Sequence, residues 1–291
     1  QPGETGLDAT LGFGDHTQTL VPRVLPGGHM FGMDVDPIEL PRTTTRLRAL
    51  GFDEAALSTH RRNFSEMASL LPQAGGGFDF VLADLGVSSM QIDNPARGFS
   101  FRADGPLDLR LDPTAGQSAS ELLQTVTRQH LRDLLIDHSD EPFAIPLAAA
   151  LQGQYVETTT QLAELVRASM QGALKASMPQ EERLVETKKA LQRTFQALRI
   201  EVNNEFGVLD TLLAALPACL KPGGRVAILS FHSGEDRRVK KAFQTGQRDG
   251  TYSSVAPDPI RASMEERRAN SRSTSAKLRW AVRAGGPLLA A

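Results

Sequence analysis

Two aspartates stand directly after apolar runs of the sequence, Asp34 after HMFGM and Asp84 after FDFVLA. Both runs have the length and composition of buried β-strands, and open α/β sheets place ligand chemistry at the carboxyl ends of such strands. Asp84 opens a polar segment that reaches Asp112, and a loop of this length is usually either functional or disordered. The aromatic and leucine residues within it argue against disorder, namely Phe99, Phe101, Leu107, Leu109 and Leu111.

A glycine loop precedes Asp34 and reads Gly12-Phe-Gly14-Asp-His16-Thr17. It follows a strand predicted over 6–11 and opens a helix predicted over about 17–24, so a ligand can approach its backbone N–H groups closely. Asp34 lies 20 residues after Gly14, where a carboxylate can accept hydrogen bonds from both ribose hydroxyls. Dinucleotide binding needs a third glycine where this chain has Thr17. The loop therefore favours S-adenosylmethionine over a nicotinamide or flavin cofactor, with a protein that binds no cofactor as the remaining alternative.

A second strand end lies near the carboxyl terminus, in the segment LKPGGRVAILSFHS that begins at Leu220. We predict a tight turn over 220–225 and an apolar strand over 226–230, as in a methyltransferase sheet. His232 would then lie on the same rim as Asp84. The alternative is that His232 has a purely structural role.

Strand, turn and helix alternate up to residue 83, a pattern typical of a doubly wound parallel sheet. Only helices are predicted from 113 to 192, followed by one long helix over 195–216 and a final edge strand over 275–283. Ser65 is predicted to cap a helix over 66–71. We therefore expect a first sheet part over 1–112, a helical insertion over 113–192 and a second sheet part with a basic segment over 193–291.

Composition narrows the class of protein. No window approaches the roughly 18 consecutive apolar residues that span a bilayer. The single cysteine, Cys219, excludes an internal disulfide and a cysteine-cluster metal site, and we expect it to be a buried helical residue. The net charge is −2, yet residues 225–291 hold thirteen Lys and Arg against six Asp and Glu. Such a segment suggests a polyanionic partner, with a solvated surface as the alternative.

Six segments, in order along nearly the whole chain, resemble the small-subunit ribosomal RNA cytosine-N4 methyltransferases of bacteria and organelles. They read DATLGFGDHT, DVDP, DLGVSSMQIDNPARGFSFRADGPLDLRLD, RTFQALRIEVNNE, LKPGGRVAILSFHSGEDRRVKKAF and NSRSTSAKLR. The resemblance implies a Rossmann-like S-adenosylmethionine methyltransferase sheet with an all-helical insertion, acting on the exocyclic amine of a cytidine. The donor contacts that it implies are Gly14, Asp15, His16, Asp34, Phe64, Asp84 and Gln91.

Further roles follow from this resemblance and from the chemistry of the reaction, which needs no metal. We expect Asp84 or Asp108 to accept an amine proton, and His232 to orient the base. Phe99 or Phe101 would stack on that base. An ion pair of Asp108 with Arg110 or Arg102, and a loop core for the two phenylalanines, are the alternatives. Contacts to RNA are expected from Arg97, Arg237, Arg238, Lys240 and Lys241.

Several positions depart from the family pattern. Asp15 stands where the loop usually has a second glycine, and Gly234 replaces a leucine. Residues 138–142 read HSDEP in place of Tyr-Gly-Glu-Glu, residues 189–192 read KALQ in place of His-Pro-Ala-Thr, and an amino-terminal His-x-Pro-Val segment is absent from the sequence. A second hypothesis is therefore a weakened or inactive relative that acts as an assembly factor of the small ribosomal subunit.

The sequence also supports predictions about the binding partner and the cellular location of the protein. Small-subunit ribosomal RNA or an assembling subunit is the expected partner, without a membrane, and a homodimer or an assembly-factor complex is possible. The combination of SSMQ with VNNE resembles alphaproteobacterial and mitochondrial members, and so favours the mitochondrial matrix over the bacterial cytoplasm. Because the chain begins at Gln1, we expect that residues were removed upstream, with a targeting peptide as one candidate for them.

Overall fold

The computed structural model describes residues 1–285 and divides them into two compact units. The first unit combines residues 1–86 with the residues from Phe206 onward, and the second unit covers Val87–Glu205. We call them the sheet unit and the helical unit. In the described part of the chain, no helix combines the length and the apolar composition that crossing a membrane requires.

The secondary structure alternates as the sequence predicts up to residue 84. The strands are β1 Thr5–Asp8, β2 His29–Asp34, β3 Leu57–Arg61, β4 Phe78–Asp84, β5 Leu220–Ser230, β6 Tyr252–Val255, β7 Ile260–Arg261 and β8 Lys277–Arg283. The α-helices are α1 Asp15–Val24, α2 Glu39–Ala49, α3 Ser89–Asp93, α4 Ala119–Thr125, α5 Arg128–Ser139, α6 Ala144–Leu151, α7 Thr159–Ala173, α8 Gln180–Val202, α9 Glu205–Cys219, α10 Ser233–Arg248 and α11 Met264–Ala269. Short 3-10 helices cover Phe64–Leu70, Pro95–Arg97 and Ser271–Ser275.

The sheet has the strand order β3-β2-β1-β4-β5-β8-β6, and β7 also pairs with β8. Strands β1 to β5 are parallel, whereas β8 runs antiparallel to β5. Asp8, Asp34, Asp84 and Ser230 are the last residues of four parallel strands, so they lie along one edge, which we call the carboxyl edge. The strand order reverses between β1 and β4, and α/β sheets bind ligands outside such a reversal.

Apolar side chains cover both faces of this sheet. One cluster contains Phe31, Met33 and Phe78, and the other contains Leu11, Leu47 and Leu57. Cover on both faces is what a mainly parallel sheet requires, and it explains the nearly continuous apolar runs that predicted the strands. Cys219 is buried at the end of α9, as expected, and burial raises the pKa of its thiol.

The helical unit packs α4 to α8 around a core of its own. Leu107 and Leu109, from the long polar segment, are each 1% exposed in that core. The predicted insertion, 113–192, therefore lies inside a larger compact unit that takes in the preceding loop and the end of α8. The domain division made from the sequence remains a proposal.

Four local predictions need correction. The helix expected over 195–216 is interrupted between α8 and α9, where Asn204 adopts a φ of 46°. Asn63, rather than Ser65, caps the 3-10 helix after β3. The turn expected over 220–225 belongs to β5, which pairs irregularly with β4 there. The last strand, β8, is not an edge strand, because β6 and β7 pair with the side away from β5.

Candidate functional site

The glycine loop is held against α2. Thr43 Oγ1 donates a hydrogen bond of 2.6 Å to the carbonyl oxygen of Gly12, and Arg46 donates to the carbonyl oxygen of Phe13. The Arg46 guanidinium also lies 4.0 Å from the centroid of the Phe13 ring. Gly14 has a φ of 84°, and a Cβ on it would lie 3.0 Å from the Thr43 side chain. The loop thus needs glycine at this position, and its backbone is kept at the carboxyl edge.

Asp34 anchors the same loop from the end of β2. Its Oδ2 accepts a hydrogen bond of 2.8 Å from the backbone N–H of Gly12, and its Oδ1 accepts one of 2.9 Å from that of Asp36. Burial raises the pKa of Asp34, although these hydrogen bonds oppose the shift. The carboxylate of Asp36 accepts hydrogen bonds from the N–H groups of Ile38 and Glu39 at the start of α2. Asp34 thus binds the backbone of the glycine loop directly.

Asp84 and His16 meet above the end of β4. His16 Nε2 lies 3.3 Å from Asp84 Oδ2, and this hydrogen bond raises the pKa of His16. The backbone N–H of Asp84 donates to Thr10 Oγ1 at 2.6 Å, which fixes the strand end. Asp84 Oδ1 is buried and has no hydrogen-bond partner among the described residues. Because buried carboxylate oxygens are nearly always paired, this oxygen is an acceptor available to a ligand.

Asp8 is a member of this cluster that the sequence analysis missed. It is completely buried at the end of β1, and it accepts hydrogen bonds from Thr17 Oγ1 at 2.7 Å and from the backbone N–H of Thr10 at 3.2 Å. Burial raises the pKa of Asp8 to about 6. The predicted strand ran to Leu11 and placed Asp8 in its interior. Recognising a third aspartate at a strand end, just before a glycine loop, would have found it.

The titration of Asp8 predicts a pH dependence of stability. Its pKa of about 6 in the folded state exceeds the usual 3.8, so the folded state retains this proton at pH values where the unfolded chain has lost it. The contribution of Asp8 is therefore most favourable below pH 4 and declines up to pH 6, by about 2–3 kcal/mol. We expect Asp8→Asn to gain that much relative to the parent between pH 4 and pH 7, measured by urea unfolding. Parallel curves for the two proteins would contradict this assignment.

Two other predicted donor contacts lie in the sheet unit. Asp15 is in the first turn of α1, where its side chain is 75% exposed and lies 3.8 Å from Arg46 Nη2. Its carboxylate therefore faces solvent and the favourable end of the helix dipole. Phe64 is half-buried against the core of the sheet, at the start of the 3-10 helix that Asn63 caps.

His232 occupies the N-cap position of α10, beyond the end of β5. Its side chain is 11% exposed, and its Nε2 approaches Glu235 Oε1 to 3.2 Å without hydrogen-bond alignment, so neither ring nitrogen is paired among the described residues. The Phe206 ring centroid lies 5.8 Å from that of the imidazole. A Cβ on Gly234 would lie 2.5 Å from Phe206 Cζ, which explains why glycine replaces the leucine of the family pattern. A nearly buried imidazole whose two nitrogens make no hydrogen bond, beside the Glu235 carboxylate, favours a ligand over a purely structural role.

The four basic residues of α10 from which RNA contacts are expected fall into two groups. Arg237, Lys240 and Lys241 are exposed. Arg238 is half-buried, with its guanidinium 4.2 Å from the centroid of Phe206 and its Nη1 2.6 Å from Asp210 Oδ2. The side chain of Arg238 is therefore already engaged within the sheet unit.

The remaining predicted residues belong to the helical unit, and there Asp108 forms the ion pair with Arg110 that was the alternative. Arg110 Nε and Nη2 lie 2.8 and 2.7 Å from its two oxygens. Although burial opposes the shift, Arg110 lowers the pKa of Asp108, which makes it a poor proton acceptor. Phe99 and Phe101 pack against the helical core, as the alternative for them proposed. These contacts support the alternatives for the three residues, and their catalytic and stacking roles stay predictions.

Arg97, from which an RNA contact was predicted, is engaged within the long polar loop, and that contact stays a prediction. Arg97 is 4% exposed, and its guanidinium donates to the carbonyl oxygens of Arg110 at 3.1 Å and Leu111 at 2.8 Å. Its charge therefore serves the fold of the loop. Gln91 is 6% exposed and accepts a hydrogen bond of 2.8 Å from the backbone N–H of Ser88, so the structure shows it as a helix cap. A donor contact by Gln91 stays a prediction.

Asn203 is a second residue that the sequence analysis missed. Its Nδ2 donates to the carbonyl oxygen of Leu109 at 2.8 Å, and its Oδ1 accepts from the backbone N–H of Leu111 at 2.7 Å. Leu109 has a φ of 63°, an unfavourable conformation for a leucine that these two bonds help to hold. Asn203 therefore fixes the far end of the long polar loop.

Comparison with known proteins places this geometry in a family. The model of the MraW methylase family matches residues 1–284. The ribosomal RNA small subunit methyltransferase H 1 of Agathobacter rectalis is 50% identical over 289 residues, which cover 98% of this chain and 81% of that protein. The H 2 protein of Alkaliphilus metalliredigens is 51% identical over 288 residues, with coverages of 97% and 81%. A solved rRNA-methylase structure from Clostridium thermocellum aligns with a TM-score of 0.46 and 12% identity, covering 97% of this chain and 90% of that one.

These findings correct one expectation and confirm others. The predicted location in the mitochondrial matrix was wrong, because the relatives that are 50–51% identical to this chain come from bacteria. The resemblance noted in the sequence, the Rossmann-like methyltransferase class and the use of S-adenosylmethionine are confirmed. The chain belongs to the MraW methylase family.

Proposed function

We propose that this protein transfers the methyl group of S-adenosylmethionine to the N4 amine of a cytidine in small-subunit ribosomal RNA. The relatives that match almost the whole chain carry the name ribosomal RNA small subunit methyltransferase H. The observation that carries the proposal is Asp84 at the reversal of strand order, with one oxygen near His16 and the other buried and unpaired. That arrangement supplies a fixed acceptor for an amine.

The residues of the carboxyl edge fit the methyl donor. Both oxygens of Asp34 accept hydrogen bonds from backbone N–H groups, and a carboxylate has about four acceptor sites, which leaves capacity for the hydroxyls of a ribose. Gly14 keeps the loop free of a side chain where a Cβ would be crowded. Asp34, the Gly14 loop and Phe64 would hold the donor, which supplies a methyl group on a sulfonium and hence a good leaving group.

The protein must also position the cytosine amine and accept its proton. The lone pair of a cytosine N4 is delocalised into the ring, so the base has to be held in line with the methyl carbon at about 3–3.5 Å. Asp84 Oδ1 would accept a hydrogen bond from the amine and then its proton, while His16 restrains Oδ2. His232, unpaired and on the same edge, would contact the base. The target must be single-stranded or flipped, because a paired amine is inaccessible.

The decisive experiment mixes the protein with labelled S-adenosylmethionine and small ribosomal subunits that lack the modification, and then maps methylated cytidines. A single methylated cytidine is the expected result. Binding of the subunits without transfer would instead identify an assembly factor. We do not favour that alternative, since the donor-loop residue that departs from the family, Asp15, points to solvent. Sedimentation of the same sample tests the predicted homodimer or assembly complex.

We predict that Asp15→Gly, which restores the usual loop, leaves the affinity for S-adenosylmethionine unchanged within about twofold. The carboxylate is exposed beside Arg46, so its removal changes little near the donor. Loss of an acid from the first turn of α1 should cost about 0.3–1 kcal/mol of stability. Calorimetry and thermal unfolding measure the two effects. A tenfold loss of affinity would show that the carboxylate of Asp15 binds the amine of the donor.

We predict that replacing Arg237, Arg238, Lys240 and Lys241 by alanine weakens RNA binding and leaves donor affinity nearly intact. The three exposed residues should account for the loss, because Arg238 is held by Asp210 and Phe206. Each lost phosphate contact should flatten the log–log salt dependence by about 0.7–0.9. Filter binding at several salt concentrations measures this slope, with Arg238→Ala alone as the control. An unchanged slope would make this helix a solvated surface.

A further inference from the structure

Residues 260–276 form a segment that leaves the sheet and returns to it at the carboxyl edge; we call it the arginine segment. Lys277, the first residue of β8, pairs with Ser230, the last residue of β5. Ile260 pairs with Leu278 on the other side of β8. The segment therefore begins and ends beside the strand end that precedes His232.

The helix within this segment contributes nothing to the core. No residue of α11 is buried, Met264 is 70% exposed and Ile260 is 56% exposed. A helix this short has little stability of its own in water, and packing normally supplies the rest. Here local caps hold it, with Ser263 accepting from the Glu266 N–H at 3.1 Å. A folded, capped element without buried side chains is suited to being covered by a partner.

The charge of the segment indicates the chemistry of that partner. Four arginines and two glutamates lie in it, and all four arginines are exposed: Arg261, Arg267, Arg268 and Arg272. Arg267 Nε donates to the carbonyl oxygen of Ala262 at 2.9 Å, and Lys277 and Arg279 of β8 form ion pairs with Asp236 at 3.0 and 2.6 Å. Guanidinium groups pair with phosphate through two parallel hydrogen bonds. A row of phosphates therefore fits this surface better than an acidic or apolar protein surface does.

We propose that the arginine segment binds the phosphate backbone of the RNA next to the target nucleotide. The inference rests on the proposed function, because the methylated base must reach the carboxyl edge from which the segment emerges. It adds a second RNA contact to that of α10, whose first turn is linked to β8 by the Asp236 ion pairs. Arg267 and Arg268, in the last turn of α11, are the residues to test first.

The test compares Arg267→Ala/Arg268→Ala with a control that removes the same charge elsewhere, Arg23→Ala/Arg248→Ala. Arg23 and Arg248 are exposed in the last turns of α1 and α10, at the opposite edge of the same sheet. The probes are small ribosomal subunits and a naked fragment of their RNA. We expect the test variant to bind both probes about tenfold more weakly, with a log–log salt slope lower by about 1.4–1.8 for two contacts. The control should bind like the parent.

Donor affinity should be the same in all three proteins. Thermal stability should fall slightly and to a similar extent in the test and control variants, because each loses two exposed arginines from the last turns of helices. Parent-like RNA binding by the test variant, or an equal loss in the control, would overturn the inference. So would a loss seen with subunits but not with naked RNA, because that pattern indicates a ribosomal protein. If the parent binds RNA through these arginines but transfers no methyl group, the inference stands and the proposed function fails.

Discussion

Asp84→Asn is expected to lower kcat by about 10²- to 10⁴-fold, the range that a positioned proton acceptor contributes. The substitution preserves the size of the side chain but removes the negative charge that draws the amine proton. His16 would lose its charged partner at the same time, and its raised pKa should fall back toward the ordinary value. Single-turnover transfer at saturating donor and RNA measures the effect on the chemical step.

Asp79→Asn is the matched control, because it makes the same change on the same strand at the opposite end. Asp79 pairs with Lys221 at 2.7 Å and accepts from the Thr5 N–H at 2.7 Å, so the variant should lose stability and keep its rate. Calorimetry should show donor affinity within about threefold of the parent for both variants, well below the cost of a lost charged hydrogen bond. A parent-like rate for Asp84→Asn would remove Asp84 from the mechanism.

The parallel sheet was predictable because burial on both faces leaves long apolar runs in the sequence. The two runs that end in Asp34 and Asp84 are strands with those same final residues. Asp8 escaped because the first strand is only four residues long and is followed by further apolar residues, which hid its end. The end of a strand can thus be predicted from the sequence where a turn follows directly. The prediction is less accurate where further apolar residues follow the strand.

Side-chain roles in the long polar loop were less predictable. Arginine is usually exposed, yet Arg97 is buried because the loop folds its carbonyl groups around the guanidinium. Asn203 contacts Leu109 and Leu111 from 94 and 92 positions away in the sequence. No local pattern encodes such a contact. The sequence therefore predicted that the loop is functional but did not show which residues hold its conformation.

Some departures from the family pattern became interpretable only with coordinates. Gly234 makes room for the Phe206 ring, which packs on His232 and beneath Arg238. The glycine is therefore compatible with a working site. Asp15 faces solvent and Arg46. Neither change blocks the carboxyl edge, which is why we favour an active enzyme.

Asp34→Ala is expected to weaken S-adenosylmethionine binding by about 10- to 150-fold, the equivalent of losing charge-assisted hydrogen bonds worth about 1.5–3 kcal/mol. Two effects add, since the carboxylate is the proposed partner of the ribose and also fixes the Gly12 N–H at 2.8 Å. Asp36→Ala is the neighbouring control. It removes the acceptor for the N–H groups of Ile38 and Glu39 and should cost about 1 kcal/mol of folding stability, as lost helix caps do.

The two variants should separate in calorimetry and in urea unfolding. Asp34→Ala should lose donor affinity more than stability, because Asp34 holds the Gly12 N–H of the glycine loop. Asp36→Ala should show the reverse, because its carboxylate accepts from the first N–H groups of α2. Equal donor affinity in Asp34→Ala and the parent would place the ribose elsewhere. A larger loss of affinity in Asp36→Ala than in Asp34→Ala would show that the start of α2, rather than the end of β2, determines how the donor is held.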